Sequence, residues 1–399
     1  MKYLILLGDG MADLPLADYN NKTPLEIADK PNIDALAKKG IVGMVKTVPD
    51  QLSPGSDVAN LSVMGYDTTK SYTGRSPLEA ASIGVDLADD DMTFRCNLVT
   101  LSDDVEYENK TMVDYSAGEI TTAEAAELMK SVSEHLGTDI LEFYAGISYR
   151  HLLVWHGCNR KFKLTPPHDI SDKKITDSLP SEPVFLEMMK KSYEFLSAHP
   201  INLDRVKRGL NPANSIWLWG EGTKPAIESF ESKNGLKGSV VSAVDLVKGI
   251  GKLAGMDVIE VEGATGNLET NFEGKAKAAA DKLLSDSDFV YLHYEAPDEC
   301  GHHGDAEGKI KSIEYIDKRV LSYLLKRFDE AKVDFSIMIL PDHPTPVATK
   351  THSRDAIPFL IYRSNDEKNV PDAIYSEEYA KTTGLFVEEG HKLLDLFIG

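Results

Sequence analysis

Phe335-Ser-Ile-Met-Ile-Leu340-Pro-Asp342-His343-Pro-Thr-Pro-Val-Ala-Thr-Lys-Thr-His352 joins a short apolar run to a Pro- and Thr-rich loop. A run this short, bounded by turn residues and apolar throughout, predicts a strand buried on both faces, as in a parallel sheet. The loop carries one carboxylate and two imidazoles. In open α/β sheets, binding groups gather past the carboxyl ends of the strands, so the other apolar runs pose the same question. Residues 3–7 lead into Gly8-Asp9-Gly10. Residues 289–293 lead into Glu295-Ala-Pro-Asp298-Glu-Cys-Gly-His302-His303. Weaker runs at 215–219 and 238–241 are further strand candidates, and helical patterns cover 274–285 and 309–326. This alternation predicts an α/β fold, a mostly parallel sheet with helices on both faces.

The middle of the chain has a different rhythm. Residues 93–101 and 149–155 read as strands on either side of a helix at 121–136, and 161–164 runs into Thr165-Pro-Pro-His168-Asp. We expect a smaller α+β domain at residues 92–175, inserted into a core made of residues 1–91 and 176–399. Acidic Asp89-Asp-Asp91 and the polar stretch 169–181 are the expected hinges.

The 399 residues allow a large core, and the formal net charge of −21 argues against nucleic-acid or anionic-membrane partners. It leaves room for a local basic pocket that binds a small anion. The N-terminal apolar run is too short for a secretory signal, and no run approaches a membrane span. Cys96, Cys158 and Cys300 match neither a disulfide framework nor a zinc-ribbon spacing. A reducing, cytoplasmic compartment is expected. Oligomeric state is not legible.

A single Asp or His after a strand is usually a turn or cap residue. Asp9, Asp298, His302, Asp342, His343 and His352, spread over three strand ends, are harder to assign that way. Asp298 and His302 are spaced to share one face of a helical turn. Carboxylates and imidazoles converging without a cation waste hydrogen bonds and repel, and a metal resolves this. Six ligands exceed one tetrahedral ion and suit two. A mixed Asp/His set without Cys favours Mn²⁺ or Zn²⁺, with Mg²⁺ an alternative. Paired metals commonly serve phosphoryl transfer.

Gln51-Leu-Ser-Pro-Gly-Ser56-Asp-Val-Ala-Asn60 pairs a tight turn with a helix start. Ser56 either caps that helix or is a hydroxyl nucleophile activated at the helix N-terminus by a metal. Spacing alone leaves both open. The chain has no Gly-x-Ser-x-Gly elbow, P-loop or Gly-x-Gly-x-x-Gly fingerprint, which disfavours a Ser-His-Asp hydrolase and a nucleotide-fingerprint enzyme.

Gly8-Asp9-Gly10-Met-Ala-Asp13, Lys30-Pro-Asn-Ile-Asp-Ala-Leu-Ala-Lys-Lys-Gly40 and Ser56-Asp-Val-Ala-Asn60 resemble the alkaline phosphatase superfamily. Thr73-Gly-Arg-Ser-Pro-Leu-Glu79, Pro297-Asp-Glu-Cys-Gly-His302 and the Asp342-His343 pair narrow the resemblance. It points to the archaeal-type 2,3-bisphosphoglycerate-independent phosphoglycerate mutases, and its motifs extend over most of the chain.

The resemblance implies an alkaline-phosphatase-like core with an inserted cap and two Mn²⁺-type ions. One would be held by Asp298, His302 and His352, the other by Asp9, Ser56, Asp342 and His343. It makes Ser56 the nucleophile of a reaction that interconverts 3-phosphoglycerate and 2-phosphoglycerate through phosphoserine, without 2,3-bisphosphoglycerate. Glycerate would stay trapped under the cap between transfers, away from water. For such a small phosphorylated anion we expect Arg75, Arg95, Asn97, Arg150, His168 and Lys237 as binding residues, arginine's planar fork suiting carboxylate and phosphate. The ordinary alternative for each cation is a surface ion pair. Trp219 and the second histidine, His303, depart from the family's pattern. A related phosphotransferase such as a homoserine kinase, or a small-molecule phosphatase, would share the same metal and serine motifs.

Overall fold

Leu4, Ile5, Leu6 and Leu7 are fully shielded from solvent, because the strand Lys2–Gly8 lies in the middle of a sheet covered on both faces. The computed structural model describes residues 1–158 and 160–399, in two compact units. The larger unit comprises Met1–Tyr72 and Ala226–Gly399, the smaller Thr73–Pro225.

Among the described residues the larger unit holds an eight-stranded sheet. Its order is Phe386–Val387, Ile41–Val45, Ile357–Arg363, Phe335–Leu340, Lys2–Gly8, Phe289–Tyr294, Gly238–Val241 and Asp257–Ile259. The central strand Lys2–Gly8 runs parallel to both neighbours, and Phe289–Tyr294 runs parallel to Gly238–Val241. Only the pairings of Ile357–Arg363 are antiparallel among those described. Four expected strands, at 3–7, 238–241, 289–293 and 335–340, therefore lie side by side in one mostly parallel sheet.

The helices Phe272–Ser285 and Ala306–Tyr315 pack apolar faces onto this sheet, with Phe272, Ala276, Ala279, Leu283 and Ile313 in its core. The helix expected over 309–326 is longer. Ala306–Tyr315 passes through a π-helical segment, Ile316–Leu321, into Ser322–Ala331. Asp317, in the π segment, accepts the Ile33 N–H at 2.7 Å and the Asn32 amide at 2.8 Å. It thereby caps the helix Pro31–Ala37, whose own first residues supply no capping side chain.

The smaller unit is built on an antiparallel sheet around the long strand Met92–Leu101, which pairs with Arg150–Trp155 and Ser215–Thr223. Helices Thr122–Leu136 and Pro183–Ser197 pack on it through Leu128, Met129, Val132, Phe185 and Met189. The expected limits of the inserted domain, 92–175, differ from these. Ser215–Thr223, read as a core strand candidate, pairs along Met92–Leu101, and so draws the chain from 176 to 225 into the smaller unit. Among the described residues no helix is long and apolar enough to cross a membrane.

Candidate active site

Three adjacent parallel strands end level with one another. Leu7 is in register with both His293 and Leu340, and Gly8 with Tyr294. Asp9, Glu295 and Asp342 therefore emerge from neighbouring strands at one edge of the sheet. Pro297 opens the helix Ala296–His303, which places Asp298 and His302 one turn apart, their Oδ2 and Nε2 3.3 Å from each other.

These side chains converge. His343 Nε2 lies 3.3 Å from Asp342 Oδ2 and 3.7 Å from Asp9 Oδ1. His352 Nε2 is 3.6 Å from Asp298 Oδ1 and 2.9 Å from His302 Nε2. Asp298, His343 and His352 form one group with ligand atoms within 4.8 Å of one another, Asp9, Asp342 and His343 a second, and Asp9, His293 and Glu295 a third. His343 belongs to two of them. The expected ligands Asp9, Asp298, His302, Asp342, His343 and His352 are thus brought together, whereas His303 points to solvent beside Glu299.

Burial makes this cluster electrostatically costly. Asp9 is pushed well above the usual carboxylate range by burial and then by the charges of Asp342, Glu295 and Asp298. Burial, followed by Asp298, also raises Glu295. Burial opposes ionisation of Asp298 as well, but hydrogen bonds from His302 and His352 bring its pKa well below the usual value. The Asp298 carboxylate lifts His302 to about 9. Asp9 Oδ1 and Glu295 Oε2 are buried and have no hydrogen-bond partner, and two imidazole Nε2 atoms face each other. Divalent cations fit such a donor set, since they neutralise the carboxylates and use the bare lone pairs.

Hydroxyl partners define the His343 tautomer. Thr345 Oγ1 donates to Asp298 Oδ1 and lies 3.3 Å from His343 Nδ1. Its proton being spent on Asp298, it accepts from Nδ1–H, and this leaves Nε2 with a free lone pair.

The helix Ser56–Val63 begins after Gly55, whose φ of 176° is ordinary extended backbone, and no side chain caps it. Ser56 is therefore the first helical residue and not the cap. Its Oγ lies 3.1 Å from His343 Nε2. Asn60 fixes this helix to the sheet edge. Its Nδ2 donates to Ser56 O at 2.8 Å and to Asp342 Oδ2 at 2.9 Å, and its Oδ1 accepts from Tyr291 at 2.6 Å.

Arg75, Arg95, Asn97, Arg150 and His168 all lie in the smaller unit. Glu79 pairs with Arg75 Nε and Arg95 Nε, each at 3.0 Å. Arg95 is buried with its guanidinium 4.3 Å over the Trp219 ring. Trp219 Nε1 donates to Asn97 Oδ1 at 3.0 Å, and the edge of His168 meets the same indole at 5.2 Å. Burial lowers the His168 pKa and Arg95 and Arg75 lower it further, against Asp169. Arg150 is exposed, 5.2 Å over Tyr149. Lys237 is not brought to either group. It immediately precedes Gly238–Val241, at the amino end of that parallel strand, and pairs with Asp286 at 3.0 Å.

His293, Thr345, Asn60, Glu79 and Trp219 join the expected residues at these two clusters. A signal existed for His293, a histidine closing an apolar strand two residues before Glu295.

The fold and this centre define a class: an α/β protein with a buried carboxylate–imidazole site for divalent cations at the carboxyl edge of a mostly parallel sheet. Within that class, the family described as 2,3-bisphosphoglycerate-independent phosphoglycerate mutase matches residues 37–202. The probable mutase of this name from Geobacter sulfurreducens is 48% identical over 401 residues, covering 100% of both chains. That of Methanosarcina barkeri is 47% identical over 402 residues, covering 100% of this chain and 99% of its own. A solved protein from Pyrococcus horikoshii superposes with a TM-score of 0.81 at 32% identity, covering 100% of this chain and 96% of its own. The cofactor-independent phosphoglycerate mutase of Thermoplasma acidophilum gives 0.66 at 27% identity, covering 100% and 99%. The chain belongs to the 2,3-bisphosphoglycerate-independent phosphoglycerate mutase family.

Proposed function

We propose that this phosphoglycerate mutase interconverts 3-phosphoglycerate and 2-phosphoglycerate by passing the phosphoryl group through Ser56, with no need for 2,3-bisphosphoglycerate. The observation that carries the reading is Ser56 Oγ, uncommitted to helix capping and 3.1 Å from a histidine shared by two ligand groups.

Asp298, His302 and His352 would hold one divalent cation, and Asp9, Ser56, Asp342 and His343 the other. Mn²⁺ is the proposed metal; the donor set also accommodates Zn²⁺ or Mg²⁺. When bound, the cations supply positive charge that eases ionisation of the hydroxyl and offsets charge on the phosphoryl oxygens. Ser56 Oγ gives up its proton and attacks phosphorus as the bond to the substrate oxygen breaks, that oxygen leaving as a hydroxyl once it takes up a proton. The other glycerate hydroxyl later loses its proton and displaces Oγ, which is protonated again. Asn60 holds the Ser56 turn and Asp342 in fixed relation throughout. Arg75, Arg95, Asn97, Arg150 and His168 would bind the carboxylate and phosphate of the substrate. Burial and the Trp219 face pre-orient Arg95 for this. We place the reaction in the cytoplasm. In support, Cys96, Cys158 and Cys300 are buried and unbridged.

The test is an assay of purified Mn²⁺-loaded protein with 3-phosphoglycerate in the absence of 2,3-bisphosphoglycerate, run beside homoserine plus ATP. Formation of 2-phosphoglycerate is expected. ATP-dependent phosphorylation of homoserine without 2-phosphoglycerate would overturn the reading in favour of the kinase.

A further inference from the structure

The two carboxylate oxygens of Asp9 have different surroundings. Oδ2 lies 2.8 Å from His293 Nε2. Oδ1 has no hydrogen-bond partner and lies toward His343, 3.7 Å from its Nε2. His293 is itself fully buried, and its Nδ1 lies 3.2 Å from Ser242 Oγ. Ser242 Oγ accepts the Val244 N–H at 3.0 Å, so its own proton is available to donate. The tautomer is set from the other side of the ring: Ser242 Oγ, already an acceptor, donates to a bare Nδ1, so the neutral imidazole carries its proton on Nε2 and donates it to Asp9 Oδ2.

We propose that Ser242 and His293 are positioning residues for Asp9: the serine fixes the imidazole tautomer, and the imidazole engages Oδ2 so that Oδ1 is presented to the cation. The proposal rests on the reading of Asp9 as a cation ligand.

The spacing of Asp9, His293 and Glu295 also satisfies a ligand group, which would make His293 a ligand itself. That role requires a bare Nε2, and here Nε2 carries the proton that Asp9 accepts. His343 shows the opposite arrangement, with Nδ1–H donating to Thr345 and Nε2 bare. Two buried histidines at one sheet edge thus do different work because a hydroxyl donates to Nδ1 in one and accepts from it in the other. Ligand orientation by such outer partners is a general device of metal centres.

Calorimetric Mn²⁺ titration of the full chain, with turnover measured alongside, tests this on wild type, Asp9→Asn, His293→Gln and Ser242→Ala. Both relay variants should keep the wild-type stoichiometry while one site weakens by about 10–100-fold, and excess Mn²⁺ should restore turnover. Asp9→Asn should lose one ion outright. Unchanged affinity in both His293→Gln and Ser242→Ala would overturn the relay. So would one more wild-type equivalent than proposed, if His293→Gln abolishes it, since His293 would then be a ligand. Wild-type protein that binds no Mn²⁺ would instead overturn the metal reading, and the relay with it.

Discussion

At Gly10 the backbone turns with φ +59°, and a Cβ there would lie 2.6 Å from both Asp298 Oδ1 and Thr345 Oγ1. Its N–H also donates to Asp342 Oδ1 at 3.1 Å. One residue without a side chain lets the three segments that carry Asp9, Asp298 and Asp342 close on each other. Gly10→Ala is expected to cost about 1–3 kcal/mol from strain and overpacking and to weaken Mn²⁺ binding, read by denaturant unfolding and by titration. Unaltered stability and affinity would show that the loop relaxes freely. At this scale the clustered Asp and His residues were legible because each follows an apolar run. His293 was legible only as the end of such a run, and its role was hidden because Ser242, which defines its tautomer, is distant in sequence. Glu79 and Trp219 were hidden for a similar reason: their significance comes from Arg95 packing between them, which spacing does not show.

Elements hold these residues through a few buried contacts. Lys309, on the helix Ala306–Tyr315, donates to Asp13 Oδ2 at 2.6 Å, Ala12 O at 3.0 Å and Thr345 O at 2.9 Å. Asp13 Oδ2 also accepts the Val347 N–H at 3.1 Å. One buried ammonium thus ties the loop after Lys2–Gly8 to the loop after Phe335–Leu340. Lys309→Met leaves Asp13 charged and buried, and should cost about 3–5 kcal/mol, seen as a lower denaturant midpoint. The Lys309→Met/Asp13→Asn double variant should lose less than the sum of the two singles; additivity would argue that the pair is uncoupled. In the smaller unit, His156 Nδ1 meets the buried Asp91 carboxylate at 2.8 Å, and that hydrogen bond raises the His156 pKa above its ordinary value. The folded state therefore holds the proton more tightly. The resulting stabilisation is fully present below the unfolded pKa of about 6.5 and is lost as pH rises through the folded value. Melting curves of wild type and His156→Gln should differ at pH 5.5, by at most about 1 kcal/mol for a solvent-reached pair, and converge at pH 8.5. An equal difference at both values would contradict the assignment. The four central strands were legible from apolar runs alone, as was the helix Thr122–Leu136, with buried residues spaced at three and four and Thr121 as cap. Ser215–Thr223 was legible as a strand over residues 215–219, but its sheet was not. It is buried like a parallel core strand, and only its partner, Met92–Leu101, reveals the other sheet.

At the scale of the molecule, two kinds of charge are segregated. The larger unit gathers carboxylates and imidazoles at one sheet edge, and the smaller gathers Arg75 and Arg95 around Glu79. A net charge of −21 repels a phosphorylated anion at long range, so such a substrate requires local positive charge. Family membership supports the mutase chemistry, and the proposed transfer to Ser56 is its centre. The direct measurement is acid-quenched turnover with 3-phosphoglycerate labelled in its phosphoryl group, followed by peptide mapping. The label should appear on the peptide carrying Ser56. Ser56→Ala should carry none and lose turnover to the limit of detection while still binding Mn²⁺. Sustained turnover in Ser56→Ala, or label on another residue, would contradict the account.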